Sequence, residues 1–342
     1  VTAWIPHLMR ASGSDAVSAG NIGTALSDVV LRDPVPGYVV VEASSYQLGR
    51  IEAFEPRVGV VTNLAPDHLD RYPDVEHYYA DKGRLFANAT AGSTWVLNGD
   101  DPAVDALAGD APGRRLYFRV ETQPAEGESG GWLGPDGMLM LRMAGEDEAL
   151  VREDDLRLLG GHNRANALAA ALAAYAVTGD VVALRAGLRS FPPLPHRLEP
   201  LGEAAGVLWI NDSKATNVAS TRVAVKSMDR PTVLLLGGRG KGESFAPLTD
   251  VMAGRVTTVI AYGEAAARIR EELGGAVTVE VVDGPFPDVV RRAAQLAGPG
   301  GAILLAPACA SFDMFSDYEA RGRAFGRLAG EIADVPAGGA RG

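Results

Sequence analysis

The sequence predicts an α/β protein of two domains, each built around a mostly parallel sheet. Three observations carry this. The chain has 342 residues, more than twice the ~150 typical of one domain. Its apolar fraction of 47% is ample for packed cores and excludes a disordered or fibrous chain. Short apolar runs alternate with helix-period segments from one end to the other, which is the rhythm of βαβ units.

The elements follow in order. Residues 1–13 (VTAWIPHLMRASG) read as a helix already under way, with no initiator Met and no signal peptide. Strands are predicted at 38–43 (YVVVEA), 58–62 (VGVVT) and 94–97 (TWVL). Their continuous apolar character suits strands covered on both faces. Helices are predicted at 75–88 and 163–178, the second Ala-rich, with Asn163 as an N-cap and Gly179 as a C-cap. Residues 116–152 differ from the rest, with Gly-rich breaks and a hairpin at Gly134-Pro135-Asp136-Gly137 leading into 138–143. The stretch 191–195 (FPPLP) is the predicted linker, because three prolines in four positions fit neither a helix interior nor a central strand. A second α/β run follows, with strands at 207–211, 232–236, 257–262, 277–282 and 302–306. Its helices lie at 218–228, 265–273, 287–297 and 318–332.

Composition removes several function classes. Lys and Arg number 32 against 43 Asp and Glu, a formal charge of −11 with no basic tract, so nucleic acid is not an expected partner. No apolar run approaches the ~20 residues of a membrane helix, so no membrane partner is expected. The single cysteine, Cys309, excludes a disulfide framework and fits a reducing compartment. No catalytic base stands near it in sequence, and it reads as a small buried residue.

Ligands in open α/β sheets sit beyond the carboxyl ends of strands. Three groups fall there: Glu42 after YVVV, Asn63, Asp67 and His68 after VGVVT, and Asp212 and Lys214 after VLWIN. A buried carboxylate at Glu42 needs a partner or a cation; equally, it is a surface carboxylate at a strand end. His68 alone reads as a loop histidine, and Lys82 as a solvated helix lysine. No spacing rule makes these three a metal site. Gly237-Gly238-Arg239-Gly240-Lys241-Gly242 lacks the Walker spacing, with Gly242 where Ser or Thr belongs, so it is not a phosphate loop. It is either a turn presenting Lys241 to an anion or an ordinary strand-to-helix turn. The segment Gly20-Asn21-Ile22-Gly23 is a turn or a close backbone approach to a ligand. A dinucleotide oxidoreductase is disfavoured, because no GxGxxG opens a helix after a strand.

Taken in order, GNIG, VEASSYQL, TNLAPDHLDRY, YYADKGRLF, GHNRANALAA, LPHRL, NDSKATNV, LLGGRGKG and LAPACASFDMF resemble the Mur ligase superfamily over essentially the whole chain. The last three resemble its D-glutamate-adding branch. Other branches carry a His- or Asn-rich segment running into Pro after the residue equivalent to Asp212. The resemblance implies a Mur-type central ATPase domain at 1–193 and a Rossmann-like domain at 194–342. It implies ATP-dependent ligation of D-glutamate to UDP-N-acetylmuramoyl-L-alanine through an acyl phosphate, by a cytoplasmic monomer in peptidoglycan precursor synthesis. It also implies magnesium, with Glu42 serving one ion and His68 and an N-carbamate on Lys82 serving a second. Carbamate formation requires a neutral amine, so a lowered Lys82 pKa is expected.

By the same resemblance, Asn166, Arg197 and Asp212 contact the nucleotide. Lys214, Thr216, Lys241, Ser311 and the backbone near Phe315 hold D-glutamate, and Asn21, Ser44, Gln47 and His68 face the muramoyl-alanine and phosphate. Members of the superfamily carry GxxGK[ST] just before a helix like that of residues 1–13. The 342 residues contain no such motif and are expected to be inactive alone. The alternative is a non-catalytic nucleotide- or amino-acid-binding module of the same family.

Overall fold

Successive side chains on a strand point to opposite faces. In the strand Thr232–Gly237, Val233 and Leu235 therefore enter one core, while Leu234 and Leu236 enter the other. That double burial is what the continuous apolar runs encode. The computed structural model describes residues 1–65, 71–158 and 160–333. Val1–Arg157 and His162–Phe191 form one compact unit; the second takes in Leu158–Gly161 and the chain from Pro192, inside the proline-rich stretch.

In the first unit β1 (Ala16–Gly20) and β2 (Tyr38–Glu42) form a parallel two-stranded sheet. Six further strands follow in sequence order: β3 (Val58–Val61), β4 (Thr94–Asn98), β5 (Arg114–Arg119), β6 (Gly130–Leu133), β7 (Met138–Met143) and β8 (Glu146–Arg152). Pairing is parallel from β3 to β6 and antiparallel from β6 to β8, with a turn at Gly134–Gly137 joining β6 to β7. The helix His162–Thr178 lies against β3 to β6, and its run of alanines lets it approach closely with Ala167–Ala174 wholly buried. On the other face Trp95 and Leu97 pack with Phe86, Val104 and Ala108.

The strand predicted at 38–43 is present and pairs, among the described residues, with β1 in a separate small sheet. Two expectations are corrected here. Asn163 is no N-cap: the helix begins at His162, and Asn163 sits in its first turn with Oδ1 accepting from Asn166 Nδ2. The helix predicted at 75–88 is α-helical only over Val75–Gly83, then tightens to a 3₁₀ turn at Arg84–Phe86. Tertiary contacts shape that end. Arg84 reaches the carbonyls of Leu48 and Ile51, Asn88 those of Glu52 and Phe54, and Phe86 meets Trp95 edge-on at 4.7 Å.

In the second unit β9 (Glu199–Ala204), β10 (Val207–Asn211), β11 (Thr232–Gly237), β12 (Val256–Tyr262), β13 (Thr278–Val281) and β14 (Ala302–Leu305) are arranged β13-β12-β11-β14-β10-β9. Only β9 runs antiparallel. The chain passes from β10 to β11, winds outward to β13, and returns to lay β14 between β10 and β11. This reversal creates a crevice at the carboxyl ends of β10, β14 and β11. Both units thus have the mostly parallel α/β sheets that the sequence predicts.

Candidate active site

In the first unit the Gly20 turn meets the end of β2. Gly20 has φ +106°, and a Cβ there would stand 2.4 Å from the Glu42 carbonyl, so only glycine fits. Beside it Asn21 Nδ2 donates to Glu42 Oε1 at 3.3 Å, and Thr2 Oγ1 to Oε2 at 3.5 Å. The sequence reading missed Thr2. Ser44 and Gln47 form a reciprocal capping box at the helix turn Ser45–Leu48: Ser44 N donates to Gln47 Oε1 at 2.8 Å, and Gln47 N to Ser44 Oγ at 3.4 Å. This turn packs against the helix Val75–Gly83, where half-buried Lys82 has its Nζ 4.9 Å from the Tyr78 ring centroid. Asp67 and His68 lie outside the described residues. Among the described residues no three His, Cys, Asp or Glu side chains gather closely enough to hold a metal. The Glu42 carboxylate and Thr2 hydroxyl are hard oxygen donors of the kind magnesium prefers.

Asn166 is half-buried in the first turn of His162–Thr178, bonded to Asn163. It belongs to the first unit and Arg197 to the second. Arg197 is exposed, flanked by His196 and Leu198 with φ +61° and +41°. Two non-glycine residues in the left-handed region are a local cost, and the contacts around them must hold it.

The second unit brings most of its predicted residues together. Asp212–Thr216 follows β10, the Gly237–Gly242 turn follows β11, and Ala306–Phe315 follows β14. Backbone bonds sew these segments to one another. Asp212 N donates to Leu305 O at 2.8 Å, Ala308 N to Ala215 O at 2.9 Å, and Gly237 N to Pro307 O at 3.0 Å. Arg239 and Ala310 exchange both bonds of an antiparallel bridge. Lys241 Nζ, exposed, donates to Thr216 Oγ1 at 3.4 Å. Lys214 Nζ donates to Tyr318 Oη at 3.4 Å. Buried Ser311 accepts from Phe315 N at 2.8 Å, and the Phe315 ring meets Phe286 at 5.2 Å.

Asp212 is only 6% exposed, and Oδ1 accepts from Leu198 N at 3.2 Å. Burial pushes its carboxyl up to about 6, against the pull of that bond and of the Arg197 charge. The carboxyl is ionised at neutral pH. A carboxyl raised on folding stabilises most below its unfolded pKa near ~4, and that contribution is lost as pH rises through about 6. The full swing is about 3 kcal/mol. Relative to Asp212→Asn, the wild-type protein should therefore lose about 2 kcal/mol of that swing between pH 4.5 and 7 in urea unfolding of the two proteins. A pH-independent difference would refute the burial account.

Residues to which the sequence reading gave no role hold this site in place. Arg321, fully buried, donates from Nε to Ser213 Oγ at 2.9 Å, from Nη2 to Ser213 O at 2.9 Å, and from both Nη atoms to Cys309 O at 3.2 Å. Ser213 Oγ in turn donates to Tyr318 O at 2.8 Å. Asn211 Nδ2 donates to Glu199 Oε2 at 3.0 Å and lies 2.9 Å from His196 Nδ1. Burial lowers the His196 pKa, so the ring is neutral at pH 7 with Nδ1 as acceptor.

Known proteins show the same two-part organisation. Residues 1–174 match the Mur ligase middle domain, and residues 196–309 match the Mur ligase glutamate ligase domain. The UDP-N-acetylmuramoylalanine--D-glutamate ligase of Anaeromyxobacter dehalogenans is 45% identical over 320 residues, covering 92% of this chain and 69% of that protein. The enzyme of the same name from Salinibacter ruber is 41% identical over 321 residues, with the same coverage. Among solved structures, MurF ligase from Thermotoga maritima in complex with ADP superimposes with a TM-score of 0.67 at 14% identity, covering 97% of this chain and 77% of that one. A pseudomurein peptide ligase type C from Methanothermus fervidus gives 0.64 at 18% identity, covering 89% and 72%. At such identities the structural likeness shows a shared fold, while the sequence matches show descent: this chain belongs to the Mur ligase family.

Proposed function

We propose that the protein ligates D-glutamate to UDP-N-acetylmuramoyl-L-alanine at the expense of ATP, in peptidoglycan precursor synthesis. The observation that carries this is the meeting of the Asp212–Thr216, Gly237–Gly242 and Ala306–Phe315 segments at one crevice. They bring two primary amines and a buried serine to the carboxyl ends of three adjacent strands. Two ammonium groups suit a dicarboxylic amino acid. The relatives named for a D-glutamate reaction support the same reading.

The terminal alanine carboxylate would attack the γ-phosphorus of ATP, breaking the bond to ADP. The D-glutamate amine would then attack the acyl carbon, expelling phosphate and losing a proton as the amide forms. Lys214, Thr216, Lys241, Ser311 and the backbone near Phe315 hold the amino acid. Asn166, Arg197 and Asp212 serve the nucleotide, and Asn21, Ser44, Gln47 and His68 the muramoyl-alanine. Magnesium, when bound, neutralises the negative charge that gathers as carboxylate meets phosphate. Glu42 would hold one ion, and His68 and a carbamate on Lys82 the other.

Expressed from its full reading frame, the protein should release ADP and phosphate only when both substrates are present, and more slowly once dissolved carbon dioxide is removed. The 342 residues alone, without GxxGK[ST], should turn over little. ADP release that is indifferent to D-glutamate would overturn the assignment. A rate indifferent to carbon dioxide would remove the carbamate alone.

A further inference from the structure

Lysine is a poor clamp unless something limits its stem, because four rotatable bonds let the ammonium sweep a wide volume. Lys214 is restrained at both ends. Its backbone N–H donates to His196 O at 3.0 Å, and its Nζ lies 3.4 Å from Tyr318 Oη and 5.2 Å from the centroid of that ring. We propose that Tyr318 is a positioning residue which sets the reach of the Lys214 ammonium toward the carboxylate of the incoming amino acid. The inference rests on the reading of Lys214 given above.

The geometry around Tyr318 supports it. The hydroxyl accepts from Lys214 and donates to Glu319 Oε1 at 3.1 Å, so a carboxylate stands behind the ammonium through one shared oxygen. Burial, with the Glu319 charge beside it, raises the phenol pKa, and the hydroxyl keeps its proton at neutral pH. The other end of the residue is fixed as well. Tyr318 O accepts from Ser213 Oγ at 2.8 Å, and the same Oγ accepts from buried Arg321 Nε at 2.9 Å. Ser213 and Lys214 are adjacent, so the circuit leaves this loop through a serine hydroxyl and returns to it through a lysine ammonium. The His196 ring stands edge-on to Tyr318 at 6.3 Å and borders the same space. An ammonium pre-placed in this way loses less freedom when a carboxylate arrives.

The test is a steady-state cycle on the full-reading-frame protein with Tyr318→Phe, Lys214→Ala and the double variant. Tyr318→Phe keeps the ring and all backbone bonds, so its unfolding midpoint should match wild type. Its KM for D-glutamate should rise ~3- to 10-fold, with kcat and the KM for ATP unchanged. In the Lys214→Ala background the same change should have no further effect. An unchanged D-glutamate KM in Tyr318→Phe overturns the proposal, as does an equal rise with and without Lys214. If Lys214→Ala itself leaves the D-glutamate KM intact, the reading of Lys214 fails and the proposal falls with it. That outcome is distinct from a failure at Tyr318 alone.

Discussion

Replacing Arg321 by methionine should destabilise the second unit by about 3 kcal/mol, with the lysine replacement falling between it and wild type. The guanidinium is wholly buried and spans two loops. It binds Ser213 through both the hydroxyl and the carbonyl, and Cys309 through the carbonyl. Methionine fills similar volume but leaves three acceptors without these donors, each at a cost of roughly 1–3 kcal/mol. Removing a buried charge offsets part of that sum. Lysine keeps the charge, yet a single ammonium cannot reproduce a planar fork aimed at two separated carbonyls. Urea unfolding followed by fluorescence, with Trp4, Trp95 and Trp132 replaced by Phe in both proteins, leaves Trp209, 5.8 Å from Phe325 on the Arg321 helix, to report this unit. A methionine variant within about 0.5 kcal/mol of wild type would show that the bonds to Ser213 and Cys309 are incidental. Gly238 draws on the same corner. A Cβ there would stand 2.3 Å from Ala310 O and 3.2 Å from Arg321 Nη1, so the turn and the arginine occupy space that only a glycine leaves open.

Arg321 also shows where sequence reading stops. In YEARGRAFGRLAG three arginines recur along one helix, and composition treats them alike. Arg323 and Arg327 are paired with Glu319 and Glu331 on the solvated face. Arg321 shares its face with Phe325 and Leu328, four and seven residues on, and is buried with them. Helical spacing could have revealed this, because an arginine in register with an apolar stripe must have its donors satisfied.

The central strands were legible for the opposite reason. Runs such as TVLLLG are covered on both faces and so carry no polar interruptions. The strands missed were of a different kind. Arg114–Arg119 alternates polar and buried residues, Glu146–Arg152 is mostly exposed at a sheet edge, and Glu199–Ala204 contains a proline and a glycine tolerated at an edge. Ala16–Gly20 is too small-residued to announce a strand, and it forms one by pairing with Tyr38–Glu42. The loops after β10, β11 and β14 could be singled out because open α/β sheets present ligands beyond strand carboxyl ends, and the structure brings those loops together. The bonds of Ser44 and Gln47 were not, because a four-residue helix leaves no periodicity to read.

Lys241→Ala should raise the D-glutamate requirement by roughly 10- to 100-fold, the range of a lost charge-assisted hydrogen bond, and leave the ATP requirement within about twofold. This ammonium is exposed, and Nζ donates to Thr216 Oγ1 at 3.4 Å, a contact worth little in water. Its value appears only when a carboxylate excludes water from the pair. The turn that carries it is not free to drift. Gly238 N donates to Tyr262 O at 3.2 Å, Ala265 N to Gly238 O at 3.0 Å, and Arg239 is tied both to the Ala310 backbone and to Glu264. The Asp212–Thr216 loop is anchored to the strand end beside it. Lysine and threonine therefore meet from two independently fixed segments, and a ligand anion placed between them would contact both. Thr216→Val should cost less than Lys241→Ala, and the two changes together should cost less than their sum, because on the proposed function each removes a contact to the same carboxylate. Comparable increases in KM for ATP and D-glutamate would move Lys241 to the nucleotide. Strict additivity with Thr216 would separate the two residues into different contacts.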